Sequence, residues 1–257
     1  MIVVDKLCYR SKLRYVNAGE KFTFSMLTLL FCIVCRSCML SLAVLLVNST
    51  VTVGKGGIPL RTYIRLMAVP FAFLVMSTLA IIVNISKVPL DAYALPVGAF
   101  FITGSKASVL FGVRLIFTAM AAVSCLYFLS LNTTMTDIMW VLDRLHCPKI
   151  ILELMLLVYR YIFVLMEAAS VMLVSQKARL GNKDFKTALR SFGSMGAGLL
   201  MIAFKRSGYL YDAMESRCYD GRIRVLEEQQ PAKPSEITLI LLYELVLLAY
   251  TVWRRVA

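Results

Sequence analysis

Five long apolar runs dominate the chain, at Phe22–Val53, Tyr63–Ile85, Ala107–Leu131, Ile150–Ser175 and Ile237–Trp253. A helix needs about 20 residues to cross roughly 30 Å of hydrocarbon, and within lipid the backbone must satisfy its own hydrogen bonds. The fold class that follows is all-α and polytopic: a transmembrane helical bundle plus a cytoplasmic domain of long crossed amphipathic helices. Composition agrees, with 60% hydrophobic and 17% charged residues. A net charge of +13 would suggest nucleic acid for a soluble protein. Here the lysines and arginines flank apolar runs, as cytoplasmic loops do beside an anionic leaflet, so the partner is the lipid bilayer and not nucleic acid.

The N-terminal residues 1–21 carry Lys6, Arg10, Lys12, Arg14 and Lys21 and have no apolar core before Phe22. They do not read as a cleavable signal and are expected in the cytoplasm. Seven cysteines, mostly inside apolar runs, read as small hydrophobes and not as a disulfide framework.

The span region is 22–131. Phe22–Val53 is long for one upright helix, and Arg36-Ser37 near its middle suggests a tight turn, which favours a hairpin over one tilted span. Gly54, Gly56, Gly57 and Pro59 then break the chain beside Lys55 and Arg61, a basic loop expected inside. Ser86–Ser105, with Pro89, Pro96, Gly98 and Gly104, is expected outside. From the cytoplasm, a hairpin and two further spans return the chain inside at about Asn132.

Residues 132–230 are expected to form a cytoplasmic region, with 150–175 partly membrane-associated and 237–253 a final span. Gln176–Gln230 holds ten lysines and arginines against six acids, which places it inside. Glu153, Arg160 and Glu167 recur every seven residues and give Ile150–Ser175 a polar stripe. Asp184–Arg217 reads as a second long helix whose longest uncharged stretch, Ser191–Phe204, is 14 residues, short for a span. Gly193, Gly196 and Ala197 within it are expected to let another helix approach closely. The polar "EEQQPAKPSE" should end the region.

The chemistry-bearing residues are few. "GSMGAG" lacks the lysine and the preceding strand of a phosphate-binding loop, so ATP hydrolysis would need another chain. His146 is the single histidine and reads as a solvated loop residue, leaving no metal, cofactor or catalytic assignment. Cys32, Cys35 and Cys38 have a cluster-like spacing, but the spacing equally lines one face of a helix with small residues. Arg36 and Arg114 read as snorkelling or internally paired cations.

Arg179 in "QKARLGN" and Arg217 in "MESRCYDG" share a setting. Each is near a helix end, after a small residue (Ala178, Ser216) and shortly before a glycine (Gly181, Gly221). Such a guanidinium can reach into a groove and make bidentate bonds to a carboxylate, or it can simply complement the helix dipole. Physical reasoning alone leaves both open.

At these residues the chain resembles the transmembrane T component of energy-coupling factor (ECF) transporters, the EcfT/CbiQ family. Ala178-Arg179-Leu180 matches the family's first Ala-Arg-x motif, and Ser216-Arg217-Cys218 occupies the second within "AMESRCYDGR". The N-terminal "YRSKLRYVNAGEKF" is similar to the CbiQ branch, with Ala18 where that branch has proline. Ser216 and Cys218 depart from the family's usual alanine and glycine. The resemblance implies a non-catalytic subunit of the plasma membrane whose two arginine motifs dock two ABC-type ATPase subunits. It would pass their motion to a substrate-binding S component (CbiM-like), with a small accessory membrane subunit as a further partner. Cobalt is the implied substrate, and nickel or a vitamin are alternatives. The competing class is a stand-alone secondary transporter, which should show an internal repeat or ionisable residues at mid-span.

Overall fold

The computed structural model describes residues 3–82, 84–86, 93–97, 100–104, 106–221, 223, 231 and 233–256. Its helices are α1 (Val3–Arg10), α2 (Ala18–Cys35), α3 (Cys38–Thr50), α4 (Leu60–Ile82), α5 (Lys106–Asn132), α6 (Met135–Arg144), α7 (Lys149–Ala178), α8 (Phe185–Glu215) and α9 (Pro234–Val256). The chain divides into two compact units, Met1–Ile138 with Glu228–Ala257, and Met139–Glu227. Among the described residues, six helical segments are long and apolar enough to cross a membrane: Ala18–Cys35, Cys38–Lys55, Leu60–Ile82, Ala107–Asn132, Phe185–Glu215 and Pro234–Trp253. The protein is therefore a helical, multi-pass membrane protein.

In the first unit, α5 packs against α1, α2, α3 and α4, while α9 packs on α2. One core joins Cys32, Leu40, Val44, Ala121, Cys125 and Leu247, and a second joins Ile58, Tyr63, Met67, Met120 and Leu131. The run Phe22–Val53 is two helices. Arg36 caps α2 in a left-handed conformation (φ 44°), and Ser37 starts α3. That break also separates Cys38 from Cys32 and Cys35, so the three cysteines do not line one helix face.

Buried polar groups in this bundle have specific partners. Pro70 inside α4 has no N–H, which leaves the Leu66 carbonyl one turn back without its helical donor. The Tyr127 hydroxyl of α5 donates to that carbonyl at 3.3 Å. Asn48, fully buried on α3, donates to Ser124 Oγ (3.3 Å) and Cys125 Sγ (3.1 Å) of α5. A Cβ at Gly112 would lie 2.7 Å from Thr78 Cγ2, so glycine sets how closely α4 and α5 approach.

Within the segment expected to be an external loop, β1 (Asn84–Ser86), β2 (Tyr93–Val97) and β3 (Phe100–Gly104) form an antiparallel sheet in the order β1-β3-β2. Pro96 falls in β2, an edge strand, where a missing backbone donor is tolerated. Pro89 and Gly98 lie outside the described residues, as does half of "EEQQPAKPSE".

In the second unit, α7 and α8 run antiparallel. Near their junction Gln176 Nε2 donates to Ser191 O (2.8 Å) and Ser191 Oγ to Gly181 O (2.9 Å). Further along, Met172 faces Gly198, and the Tyr161 hydroxyl donates to Arg206 O at 3.3 Å. Neither helix has a fully buried residue. α8 meets the length and composition of a span, against the expectation from its short uncharged stretch. Its uncharged stretch, bounded by Arg190 and Lys205, is nevertheless 14 residues long, against the about 20 that a helix needs to cross the hydrocarbon.

Candidate functional site

The two arginines occupy equivalent backbone positions. At the end of α7, the Leu180 N–H bonds Lys177 O (3.1 Å) and the Gly181 N–H bonds Gln176 O (2.8 Å). At the end of α8, the Cys218 N–H bonds Glu215 O (3.0 Å) and the Tyr219 N–H bonds Met214 O (3.1 Å). Each set is a Schellman closure, with the arginine just past the helix end and the next residue left-handed. Leu180 has φ 58° and Cys218 φ 53°. Glycine is the usual occupant of such a position because it has no Cβ to clash there. That accounts for the glycine expected at the third motif position and for what Cys218 changes: the same backbone is made at a steric cost.

Main-chain donors thus close both helix ends, and both arginine side chains are exposed. Neither guanidinium hydrogen-bonds or ion-pairs with another described residue. Along α8, 31 residues at 1.5 Å each separate the two ends by about 45 Å.

The Arg217 end carries a further tie. Beyond it, the Tyr219 hydroxyl donates to Glu153 Oε2 at 2.6 Å, and the Ile223 N–H donates to Glu153 Oε1 at 3.2 Å. The bond to Glu153 holds the Tyr219 phenol above its ordinary pKa, which keeps it a donor.

Within this chain, Gly193 and Gly196 do not make the close approach of α7 and α8. A Cβ on Gly193 or Gly196 meets nothing within 4 Å, whereas one on Gly198 would lie 3.2 Å from Met172 Cε. At about 100° per residue, Gly196 faces nearly opposite to Gly198, so the stripe points away from α7. Phe192, Leu200 and Phe204 are exposed beside it.

The N-terminal signature is also structural. Asn17 caps α2 by accepting from the Gly19 N–H (2.9 Å). Lys21, only 3% exposed, donates to the carbonyls of Asn132 (2.9 Å), Leu13 (3.1 Å) and Arg14 (3.5 Å). The Asn132 carbonyl ends α5 without an intrahelical donor, and the ammonium supplies one. Ser11 Oγ donates to Asn132 Oδ1 at 2.7 Å, closing the clasp. Lysine in a basic N-terminus reads as solvated, and only its place beside the end of α5 shows otherwise.

His146 is exposed in the turn after α6, left-handed at φ 62°. Arg36 and Arg114 are exposed on this chain. Sequence reasoning missed Glu244 on α9, which is 7% exposed and accepts from Thr28 Oγ1 at 2.8 Å. Its neighbours are apolar in sequence, and such an acid is visible as buried only once α2 is packed beside it.

These features belong to a multi-pass helical membrane protein. Residues 10–230 match the family described as "CbiQ: Cobalt transport protein". The chain belongs to the CbiQ family, the T components of ECF transporters. It is 32% identical over 193 residues to the cobalt transport protein CbiQ of Rhodobacter capsulatus, covering 75% of this chain and 74% of that protein. It is 29% identical over 250 residues to an uncharacterized protein of Methanocaldococcus jannaschii, covering 96% and 92%. A putative fused cobalt transport protein CbiMQ of Methanocorpusculum labreanum is 25% identical over 245 residues, which cover 94% of this chain and 40% of the fusion.

Proposed function

We propose that this chain is the energy-coupling subunit of an ATP-driven cobalt importer, in which Ala178-Arg179-Leu180 and Ser216-Arg217-Cys218 each dock one ABC-type ATPase subunit. The observation that carries this reading is the repeated Schellman closure, which presents an uncommitted guanidinium at each end of α8. A separation of about 45 Å along that helix is long for a single docking groove, which favours two ATPase subunits. An arginine fork suits a carboxylate in each groove. ATP binding would draw the grooves together, and α7 and α8 would pass the motion to the substrate-binding S component. The exposed face around Gly193, Gly196 and Ala197 supports a partner-facing role for α8, because small residues allow close helix approach.

A CbiM-like S component fits the fused relative, whose name joins CbiM to CbiQ. Cobalt follows the names of the relatives, with nickel and a vitamin as alternatives. The basic residues of Gln176–Gln230 and of the N-terminus support a cytoplasmic side for both, in a cell-membrane protein. A stand-alone secondary transporter has one observation in its favour, the buried Glu244, since ionisable groups within spans mark ion pathways.

Reconstitution separates these readings. The chain purified in mild detergent with its co-purifying partners, placed in liposomes, should take up radioactive cobalt only when ATP reaches the ATPase side. Uptake driven by an ion gradient, without ATP and with the chain alone, would establish the secondary transporter instead.

A further inference from the structure

We propose that Glu153 is a positioning residue for the Arg217 dock, holding the segment that carries Arg217 in its docking conformation by tying it to the start of α7. The inference rests on the docking role assigned to Arg217 above. Both oxygens of the Glu153 carboxylate are engaged, one by the Tyr219 hydroxyl at 2.6 Å and the other by the Ile223 N–H at 3.2 Å. Tyr219 is held from two sides, since its own N–H closes the Schellman turn on Met214 O at 3.1 Å. Between the anchors Gly221 takes a left-handed φ of 84°, and the two bonds reach one carboxylate from either side of it.

The two docks differ in how they are built. Arg179 sits in the short link from α7 to α8, where Ser191 Oγ bonds Gly181 O and Gln176 bonds Ser191 O across the junction. Among the described residues no helix follows Arg217 before Pro234, and a residue remote in sequence supplies the constraint. Glu153 belongs to the Glu153, Arg160, Glu167 stripe of α7, which the docking mechanism otherwise leaves unused. A carboxylate is suited to the task because hydrogen bonds to a charged acceptor are shorter and stronger than neutral ones. Left-handed Cys218 makes such bracing more consequential, because without glycine that turn is less favourable by itself.

The test uses the assembled complex and compares Glu153→Gln and Tyr219→Phe in two backgrounds. With Arg179→Ala, the complex depends on the Arg217 dock, and each change should weaken ATPase co-purification roughly tenfold, in line with the loss of one charge-assisted hydrogen bond. With Arg217→Ala, the same changes should have no further effect. The Ile223 amide, followed by hydrogen exchange on the detergent-solubilised chain, should lose protection in Glu153→Gln with or without ATPases present. Equal weakening in both backgrounds would show a general structural role and overturn the proposal, as would unchanged Ile223 protection. If Arg179→Ala with Arg217→Ala releases nothing, the docking reading itself fails and this inference falls with it.

Discussion

Leu180 and Cys218 hold the same left-handed backbone, at φ 58° and 53°, each one residue beyond an exposed arginine. Their side chains have little in common, and neither is a residue that favours this conformation. Two helix ends of unlike sequence have therefore been closed in one geometry, with the arginine directly before the left-handed residue in both.

Glycine at either position should relieve the strain. Leu180→Gly and Cys218→Gly should each stabilise the α7–α8 unit by about 1 kcal/mol, less the greater freedom glycine adds to the unfolded chain. Cys218→Val, β-branched, should destabilise the turn and weaken ATPase co-purification. Thermal unfolding in detergent, followed by circular dichroism, orders the three variants.

Gly196 and Gly198 should respond oppositely to enlargement. Gly198→Leu drives a side chain into Met172 and should destabilise α7–α8 packing by roughly 1–3 kcal/mol. Gly196→Leu enters open space on this chain and should leave its unfolding temperature unchanged. If the stripe faces the S component, Gly196→Leu will still reduce S-component co-purification; if it faces lipid, co-purification will equal wild type.

The N-terminal clasp should tolerate little change. Lys21→Met leaves the Asn132, Leu13 and Arg14 carbonyls without their donor in a buried site and should cost about 3 kcal/mol. Gly56→Ala places a Cβ against Thr52 O and 2.7 Å from Asn132 Oδ1. It should be comparably harmful, since a backbone atom cannot swing aside. The amount of monodisperse protein recovered after detergent extraction and mild heating reads both.

Cys8 and Cys218 should differ in thiol reactivity. Burial pushes the Cys8 thiol up to about 11, and it is 2% exposed, so a maleimide at neutral pH should not label it. Cys218 is exposed and should label on the free chain but be shielded when ATPases are bound. The raised Cys8 value also sets a sign: the folded chain holds this proton more tightly than the unfolded one. Its stabilising contribution is complete below pH 9 and is lost as the pH rises toward 11. A melting temperature that rises over that interval in wild type relative to Cys8→Ala would contradict the assignment.

The apolar runs made the spans legible because a lipid environment leaves the backbone few options. The break at Arg36-Ser37 was legible for a related reason, since a run too long for one span and interrupted by a cation has to turn. The paired settings of Arg179 and Arg217 could also be read, being local patterns of small residue, arginine and glycine. What could not be read depends on which segment lies beside which. Lys21 looks solvated until the end of α5 stands over it, and Glu153 looks like one member of a polar stripe until Tyr219 folds back to it. The phase of α8 is the same kind of unknown: glycines at 193, 196 and 198 are all small, and only the position of Met172 shows which one meets α7. The strands at 84–104 were hidden because prolines and glycines in a loop and in an edge strand look alike.

The central claim is that Arg179 and Arg217 hold the ATPases, and the most direct measurement is co-purification of ATPase chains with the Arg179→Ala, Arg217→Ala double variant. Removing one partner of a buried, hydrogen-bonded charge pair costs about 2–5 kcal/mol. Either single change should therefore leave a weakened complex, and the double change should release the ATPases and abolish ATP-driven metal uptake while the chain stays in the membrane. Lysine at both positions should rescue poorly, because it keeps the charge and loses the fork. A double alanine variant that retains its ATPases and its uptake would reduce these arginines to charges that complement a helix dipole, and would contradict the account.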